Sequence, residues 1–470
     1  MSKLPLVEGL LRYAEEGNVS FTMPGHKNGA GFLSTREGRK LYENLFKIDI
    51  TEVDGVDNLH HPEGIIREAQ QLLSKFYESR KSYFLVNGST SGNLAMIFSS
   101  FNEGDKIIVE RNCHRSIFNG IIMRKLKPIY IKNKISKRYN APISIDMEHF
   151  SCLLEQHKDA KGIIVTYPNY YGICSDLKTI ISCARKYNMM VLVDSAHGAH
   201  FGVNEKLPES AVKLGADMVV MSSHKTLSSF TQTAYLHVGD NADIEKVDFY
   251  VSSFLSTSPS YMLMASMDYA RYYLEEYGVQ AYEDLIERAN KYRYKFREFD
   301  FLKVLESDKS SYFNIDLSRF VINVKEGLSG YKLLDYLKSR GIQCEMSDGS
   351  NVVLIFSTFN SEKDFEKLYN AIKECNLETL REEGISLMET YIPETKLLPF
   401  EVIERKKVRV SLEEACGRIC ASSVVPYPPG VPILNLGEII DNTSLNMIKY
   451  YLDYGVTVLG IENRKITVVE

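Results

Sequence analysis

Seven short apolar runs alternate with helical or loop segments between residues 81 and 240, and this pattern constrains the fold more than any other feature. Apolar strands separated by helices are typical of an α/β sheet that is covered on both faces. The sequence therefore predicts an α/β domain with these runs as strands. The runs are KSYFLV (81–86), KIIVE (106–110), KPIYI (127–131), GIIVTY (162–167), MVLVD (190–194), DMVVMS (217–222) and AYLHV (234–238).

The sequence changes character after residue 280. YEDLIERANKYRYKFREF predicts a long charged helix, and four strand-like runs (YFNIDLS, FVINV, GIQCEMS and VVLIFS) follow around two further helices. This order is typical of a smaller α+β domain. Two prolines in YIPETKLLPFE indicate a second boundary. We therefore expect an N-terminal segment and large domain at 1–280, a small domain at 281–390 and a C-terminal tail domain at 391–470.

Composition narrows the class of protein. The 470 residues are 44% hydrophobic and 25% charged, with a formal net charge of −5, so there is no basic field for nucleic acid. The start, MSKLPLVEGLLRYAEEGN, lacks the pattern of a signal peptide, and no apolar run reaches membrane-spanning length. These features predict a cytoplasmic protein. Cys416 and Cys420 are the one close cysteine pair and are interpreted as reduced helix cysteines without a metal.

Polar residues follow four of the predicted strands, and ligands of open α/β sheets bind beyond the carboxyl ends of strands. In VNGSTSGNLAM, small residues and the hydroxyls of Ser89 and Thr90 come just before a helix. Such a turn suits a phosphate, because small residues allow close approach and the N–H groups of the first helical turn are free. A plain Ser/Thr N-cap turn is the alternative. A hydrolase elbow is disfavoured because Thr90 occupies its central position.

Asp194 ends the apolar run of VLVDSAHGAHFG, where a carboxylate would be partly buried and would need a cationic or hydrogen-bonding partner. A protonated ring nitrogen would provide one. The alternative is that Asp194 caps a loop and that His197 and His200 have structural roles.

Lys225 follows the apolar run of MVVMSSHKTLSSF, beside Ser222 and His224. A lysine buried at a strand end can lose enough solvation to lower its pKa and act as a nucleophile toward an aldehyde. A surface lysine is the alternative. In ERNCHRS, His114 could cover a flat ring or transfer protons. A phosphate turn, a buried carboxylate and a lysine together are what pyridoxal phosphate (PLP) requires.

Seven order-specific stretches resemble the Orn/Lys/Arg decarboxylase family, bacterial basic amino-acid decarboxylases of PLP fold type I. The resemblance implies a large domain with a mixed seven-stranded sheet, a smaller α+β C-terminal domain, and an active site completed by a second subunit. The stretches are FTMPGHKNG (21–29), DITEVDGVDNLHHPEGIIREAQ (49–70), NGSTSGN (87–93), RNCHRS (111–116), DSAHGAH (194–200), SSHKTL (222–227) and YPPGVP (427–432).

The resemblance also assigns roles to individual residues. Lys225 would hold PLP as a Schiff base, Asp194 would pair with the ring nitrogen, and His114 would stack on the ring. The remaining cofactor set is Ala196 on the other ring face, His197 beside it, Ser89, Thr90, Ser222 and His224 on the phosphate, and Thr257 or Ser258 on the phosphate of the partner subunit. Glu438 would grip the distal cation of the substrate.

The implied activity is decarboxylation of a basic amino acid, with arginine or lysine favoured over ornithine, in polyamine metabolism. No N-terminal wing domain precedes the first family stretch, so we expect a homodimer or tetramer that takes a small-molecule substrate and no nucleic acid or membrane. One alternative is a PLP-dependent aminotransferase or other lyase, in which Arg409 could be mistaken for the arginine that holds the α-carboxylate. A non-catalytic, PLP-binding or regulatory relative is another.

Overall fold

The computed structural model describes residues 3–307, 314–382, 387, 389–427 and 430–470. The N-terminal segment begins with an 11-residue helix and reaches the large domain through short elements. Asp57 organises the last connection, because its carboxylate accepts hydrogen bonds from five backbone N–H groups before and within the first turn of the next helix. The elements are Pro5–Glu15, Val19–Phe21, Ala30–Leu33, Arg36–Glu43, the 3-10 turn Leu45–Lys47 and helix Ile65–Tyr77.

All seven predicted strands form one mixed sheet, so the α/β prediction is confirmed. Ala234–Val238 is antiparallel to both of its neighbours, and the other strands run parallel to one another. The carboxyl ends of those six strands therefore share one edge. Across the sheet the order is Lys81–Leu85, Ala234–Val238, Met218–Met221, Met190–Asp194, Gly162–Thr166, Lys106–Glu110 and Lys127–Ile131.

Helices cover the sheet on both faces, and its central strands are buried along their whole length. Burial on both faces explains why these strands are runs of apolar residues without polar alternation. The covering helices are Gly88–Ser100, Arg115–Met123, Met147–Gln156, Leu177–Arg185, the short Ser223–Thr226 and Ile244–Phe254, with a strand pair Asn133–Ser136 and Ala141–Ile145 beside the sheet.

A 36-residue helix, Tyr261–Phe296, leads out of the large domain. The boundary predicted at residue 280 falls inside this helix and stays a prediction. Its first half, rich in tyrosine and methionine, packs on the large domain, and the charged second half continues without a break. Gly278 lies inside this helix. It packs closely against Val203, and a side chain at this position would clash with that valine.

The small domain contains a four-stranded antiparallel sheet in the order Leu302–Val304, Arg319–Val324, Asn351–Ile355 and Met346–Ser347. Helices Gly330–Ser339 and Glu362–Lys373 match the two predicted helices. Two strand pairs tie this domain to the rest: Ile342–Cys344 pairs with Val19–Phe21, and Asn314–Ile315 pairs with Ile173–Cys174. Residues 312 and 313 of the predicted strand YFNIDLS lie outside the described residues.

The C-terminal residues form a unit with its own apolar core. Its elements are helix Pro399–Ile403, strand Lys407–Ser411, the 3-10 turn Leu412–Glu414, strand Val425–Pro426, helix Asn442–Asp453 and strands Val458–Leu459, Ile461–Glu462 and Lys465–Val469. Cys416 and Cys420 are not helical as expected: Cys416 lies in a turn, and Cys420 forms a bridge with Val468. Within the described ranges, no helix is long and apolar enough to cross a bilayer.

Candidate active site

Lys225 lies in the short helix Ser223–Thr226, just beyond the carboxyl end of strand Met218–Met221. Burial lowers the pKa of its amine to about 8, with the charge of Arg319 adding to that effect and Asp194 and Glu345 opposing it. Its Nζ lies 3.0 Å from Nε2 of His197. Lys225 is therefore a buried amine whose neutral, nucleophilic fraction at neutral pH is larger than that of an ordinary lysine.

His197 connects Lys225 to the small domain. The ring is buried, and a guanidinium N–H of Arg319 donates to its Nδ1 over 3.2 Å. Tyr170 contacts the ring edge-on, with centroids 5.0 Å apart. His197 is therefore held from two sides while its Nε2 faces the lysine.

Asp194 is the last residue of strand Met190–Asp194 and is 2% exposed. One carboxylate oxygen accepts from the amide of Asn93 at 2.8 Å, and the other accepts from the backbone N–H of Ala196 at 3.1 Å. Each oxygen has capacity for a further donor. A protonated pyridine nitrogen is the kind of partner that such a buried carboxylate can take.

Asn93 also orders His114. Its amide nitrogen donates to Ser116 Oγ as well as to Asp194, both at 2.8 Å. Ser116 Oγ lies 2.8 Å from His114 Nδ1, which accepts in addition from the Ser116 backbone N–H at 3.2 Å. Because Ser116 Oγ accepts from Asn93, its own hydrogen is free to donate to Nδ1. The hydrogen bonds therefore assign the ring proton of neutral His114 to Nε2.

The predicted phosphate turn is built as a cradle. Gly88 has φ of +71°, a conformation that glycine adopts without strain, and no side chain caps the helix Gly88–Ser100 that begins there. Ser89 Oγ lies 2.7 Å from Ser222 Oγ, which brings two of the predicted hydroxyls together. Thr90 lies in the same first turn. The first-turn N–H groups have no side-chain cap and remain available to an anion.

His224 follows Ser222 and is fixed by one hydrogen bond. Its Nδ1 lies 2.7 Å from the carbonyl oxygen of Thr233, so Nδ1 carries a proton and donates. Burial lowers the pKa of this imidazole. His224 can donate to a phosphate through Nε2 only as an imidazolium, a form that a phosphate dianion would stabilise.

These groups fit pyridoxal phosphate by their chemistry. A buried amine of lowered pKa, a buried carboxylate and an uncapped helix start with paired hydroxyls are the three elements that this cofactor needs. Ala196 is buried, and its backbone N–H donates to Asp194.

Thr257 and Ser258 are exposed in the loop after helix Ile244–Phe254 and do not join the groups around Lys225 in this chain. His60 anchors this loop, with Nε2 at 2.7 Å from the Ser256 carbonyl oxygen and Nδ1 at 3.0 Å from Ser252 Oγ. The two hydroxyls therefore sit on a braced, outward-facing loop.

Glu438 does not fit the predicted contact with the substrate cation. Its carboxylate is fully buried and forms a bidentate ion pair with Arg111, and it also accepts from the backbone N–H of Asn435. Arg111 additionally donates to the carbonyl oxygens of Pro432 and Ile433, so this pair joins the C-terminal unit to the sheet edge. The role predicted for Glu438 stays a prediction, because its partner in this structure is an arginine supplied by a distant part of the chain.

Arg409 is the residue that an aminotransferase could have used to hold the α-carboxylate of its substrate, but its surroundings do not suit that role. It is exposed and pairs with Glu462 on the surface of the C-terminal unit.

Asn93 and Arg319 were missed as site residues. Asn93 was present in the stretch NGSTSGN, and its position one helical turn after the phosphate turn was the available signal. Arg319 had no local signal, because its contact with His197 arises only when the small domain docks on the large one.

Comparisons with known proteins identify the family of this chain. The profile "Orn/Lys/Arg decarboxylase, major domain" matches residues 4–322, and the C-terminal domain of the same family matches residues 388–455. An "uncharacterized protein YaaO" of Bacillus subtilis is 37% identical over 464 residues, covering 97% of this chain and 96% of that protein. An arginine decarboxylase of B. subtilis is 34% identical over 471 residues, covering 98% and 96%.

Among solved structures, a lysine decarboxylase of Francisella novicida superposes with a TM-score of 0.79 at 22% identity, covering 99% of this chain and 81% of that one. This likeness supports the fold. The family and its fold neighbours are PLP-dependent, which agrees with the groups around Lys225. The chain belongs to the Orn/Lys/Arg decarboxylase family and is a PLP-dependent amino-acid decarboxylase.

Proposed function

We propose that this protein decarboxylates arginine at its α-carbon, giving agmatine and carbon dioxide for polyamine supply. The observation that carries the proposal is the end-to-end identity of 34% with the arginine decarboxylase of B. subtilis. An arginine decarboxylase of Bacillus anthracis supports it at 32% identity over 472 residues. The lysine decarboxylase of Hafnia alvei is more distant, at 22% over 564 residues.

PLP, when bound, supplies an electron sink for the carbon–carbon bond that breaks. Lys225 would hold the cofactor through its amine, and the buried anion of Asp194 would keep the ring nitrogen protonated. Ser89, Thr90 and Ser222, with the first turn of helix Gly88–Ser100, would bind the phosphate. His224 would join them as an imidazolium, and Ala196 and His197 would complete the set.

His114 is the proposed proton donor. Its Nδ1 is occupied as an acceptor from Ser116, which leaves the ring proton on Nε2. Burial lowers the pKa of this imidazole, and the nearby Asp194 opposes that effect. An imidazole whose proton lies at a defined atom could return a proton to the α-carbon of the substrate in place of the lost carboxylate. Lys225, freed by the substrate, is the second candidate for this step.

A second subunit completes the proposed site. Thr257 and Ser258 are exposed on the loop that His60 braces, which supports a role in reaching the phosphate bound by a partner chain. We therefore propose a homodimer, or a tetramer of such dimers. Analytical ultracentrifugation of the full-length protein tests this assembly, and a monomer at micromolar concentration that retains full activity contradicts it.

Product analysis tests the proposed substrate. The full-length chain is incubated with PLP and either arginine, lysine or ornithine at neutral pH, and the products are identified by mass spectrometry. We expect agmatine from arginine, with a kcat/KM at least about tenfold above the values for cadaverine or putrescine formation. A tenfold preference corresponds to a difference of about 1.4 kcal/mol in activation free energy between the substrates. Cadaverine or putrescine as the dominant product contradicts arginine as the substrate and leaves the family assignment intact.

A further inference from the structure

Arg319 is a buried charge that the fold does not fully pair. Its side chain is 1% exposed, and its nearest carboxylate oxygen, on Asp316, is 4.0 Å away. In the part of the chain that the structure describes, its Nε and Nη1 atoms have no hydrogen-bond partner. Burying a guanidinium with incomplete pairing costs stability. Its one directed side-chain hydrogen bond in these ranges goes to Nδ1 of His197, which indicates that this contact is the reason for its position.

The position of Arg319 is tightly fixed. It begins strand Arg319–Val324 and pairs with Ile355, and its carbonyl oxygen accepts from the buried side chain of Arg293 at 2.7 Å. Its stem passes so close to Gly172 that a Cβ added there would lie 2.6 Å from the Cβ of Arg319. The guanidinium therefore has little freedom to move away from His197.

The contact with Arg319 determines which nitrogen of His197 carries the proton. An arginine in a protein stays protonated and can only donate, so Nδ1 of His197 must accept. Neutral imidazole then has its hydrogen on Nε2. Nε2 lies 3.0 Å from Lys225 Nζ, and a donor there requires that Nζ offer a lone pair. Only the neutral amine has one, because an ammonium group has three donors and no acceptor.

We propose that Arg319 is a positioning residue that favours the neutral form of the Lys225 amine by fixing the proton of His197 on Nε2. The inference rests on the proposed role of Lys225 as the residue that binds PLP. A protonated Lys225 would require His197 to accept on both nitrogens at once, which neutral imidazole cannot do.

The charges around Lys225 agree with this arrangement. Burial gives the main lowering of its pKa, to about 8, and Arg319 lowers it further while Asp194 and Glu345 raise it. The pKa of His197 is lowered well below its usual value by burial, and by Lys225 and Arg319, so its ring is neutral. The other titratable groups that face the amine are His114, from the start of helix Arg115–Met123, and His224, from the helix of Lys225 itself.

The test measures the titration of Lys225 directly, without any need for catalysis. The full-length chain, prepared without PLP, is labelled with trace acetic anhydride across a pH series, and acetylation of the Lys225 peptide is quantified by mass spectrometry. The wild-type midpoint is expected near 8. In Arg319→Gln the neutral amide can accept as well as donate, so both His197 tautomers are allowed and the midpoint rises by about one pH unit or more.

The double variant separates the action of His197 from a direct charge effect. His197→Gln should raise the midpoint as Arg319→Gln does. The double variant should rise by clearly less than the sum of the two single shifts, because both changes break the same Arg319–His197–Lys225 connection and only the direct charge effect of Arg319 remains to be added. A purely direct effect of the Arg319 charge would instead add its full shift in the His197→Gln background. That additivity, or an unchanged midpoint in Arg319→Gln, overturns the proposal.

A control variant and a folding check show whether a change in the midpoint is specific to the contact between Arg319 and His197. Arg271→Gln is the matched control, because it removes another largely buried guanidinium whose ion pairs go to Asp268 and Glu275, and its Lys225 midpoint should stay at the wild-type value. If Arg319→Gln does not fold, as judged by circular dichroism, His197→Gln alone decides, and an unchanged midpoint overturns the proposal.

Capture of PLP at neutral pH, followed by visible absorbance, should slow about tenfold for each unit that the pKa of Lys225 rises. Failure of arginine as substrate would leave these midpoints unaffected.

Discussion

Replacement of Glu438 by glutamine tests whether this buried carboxylate holds the C-terminal unit in place or contacts the substrate. The side chains of Arg111 and Glu438 are 0% and 1% exposed, and the carboxylate accepts two guanidinium bonds and one backbone N–H. In Glu438→Gln one of these acceptors becomes an NH₂ group that faces another donor, while the arginine stays charged. Breaking a buried pair in this way costs about 3 to 5 kcal/mol.

Urea denaturation, followed by circular dichroism at equilibrium, measures this loss. With a slope of about 1 to 3 kcal/mol per molar urea, the first unfolding midpoint of Glu438→Gln should fall by at least about 1 M. Glu462→Gln is the matched control in the C-terminal unit, because Glu462 forms an ion pair on the surface. Its side chain is 68% exposed, and that of its partner Arg409 is 60% exposed. An exposed pair contributes little, so this variant should change the free energy of unfolding by less than about 1 kcal/mol.

A substrate contact would give the opposite pattern. In that case Glu438→Gln would raise the KM for arginine by an order of magnitude and leave the urea midpoint where it was. An unchanged midpoint together with a raised KM refutes the interpretation of Glu438 as a structural partner of Arg111.

Two further variants test the connections that order the site. Asn93→Leu removes the amide that bridges Asp194 and Ser116, and PLP affinity, measured by fluorescence titration, should fall by about 10- to 100-fold, because a hydrogen bond to a charged group contributes about 1.5 to 3 kcal/mol; an unchanged affinity contradicts this role. Asp57→Ala removes the acceptor of five backbone N–H groups and should lower the free energy of unfolding in urea by about 1 to 2 kcal/mol. Because backbone hydrogen bonds hold the pKa of Asp57 below its usual value despite some burial, its contribution is present above the unfolded pKa of about 3.9 and is lost as the pH falls through the folded pKa. A difference between Asp57→Ala and wild type that persists in strong acid would contradict this account.

The sheet was predictable because each of its strands is a run of apolar residues flanked by polar segments. Strands buried on both faces carry that pattern locally, so Met190–Asp194 and Ala234–Val238 matched their predicted ranges. The domain boundary predicted near residue 280 rests on a change in composition. That change lies within the helix Tyr261–Phe296, whose apolar first half packs on the large domain.

The candidate site contains residues that local sequence patterns predicted and residues that they did not. Asp194 ends a strand, and Lys225 and His114 each follow one, so topology brings all three to one sheet edge. Arg319 and Glu438 depend on contacts between parts of the chain far apart in sequence, with His197 and Arg111 respectively. A local sequence pattern does not indicate such contacts. For this reason Arg319 was missed, and Glu438 was assigned to the substrate cation instead of Arg111.

The most direct measurement locates the lysine that holds PLP. The full-length protein is loaded with PLP, reduced with borohydride and mapped by peptide mass spectrometry. The label should lie on Lys225, whose buried amine contacts His197. Lys27 is a demanding internal comparison, because burial also lowers its pKa, to about 7, but its Nζ donates to the backbone carbonyl oxygens of Thr22 and Ile355. A label on Lys27, or none on Lys225, would contradict the active site described for this protein.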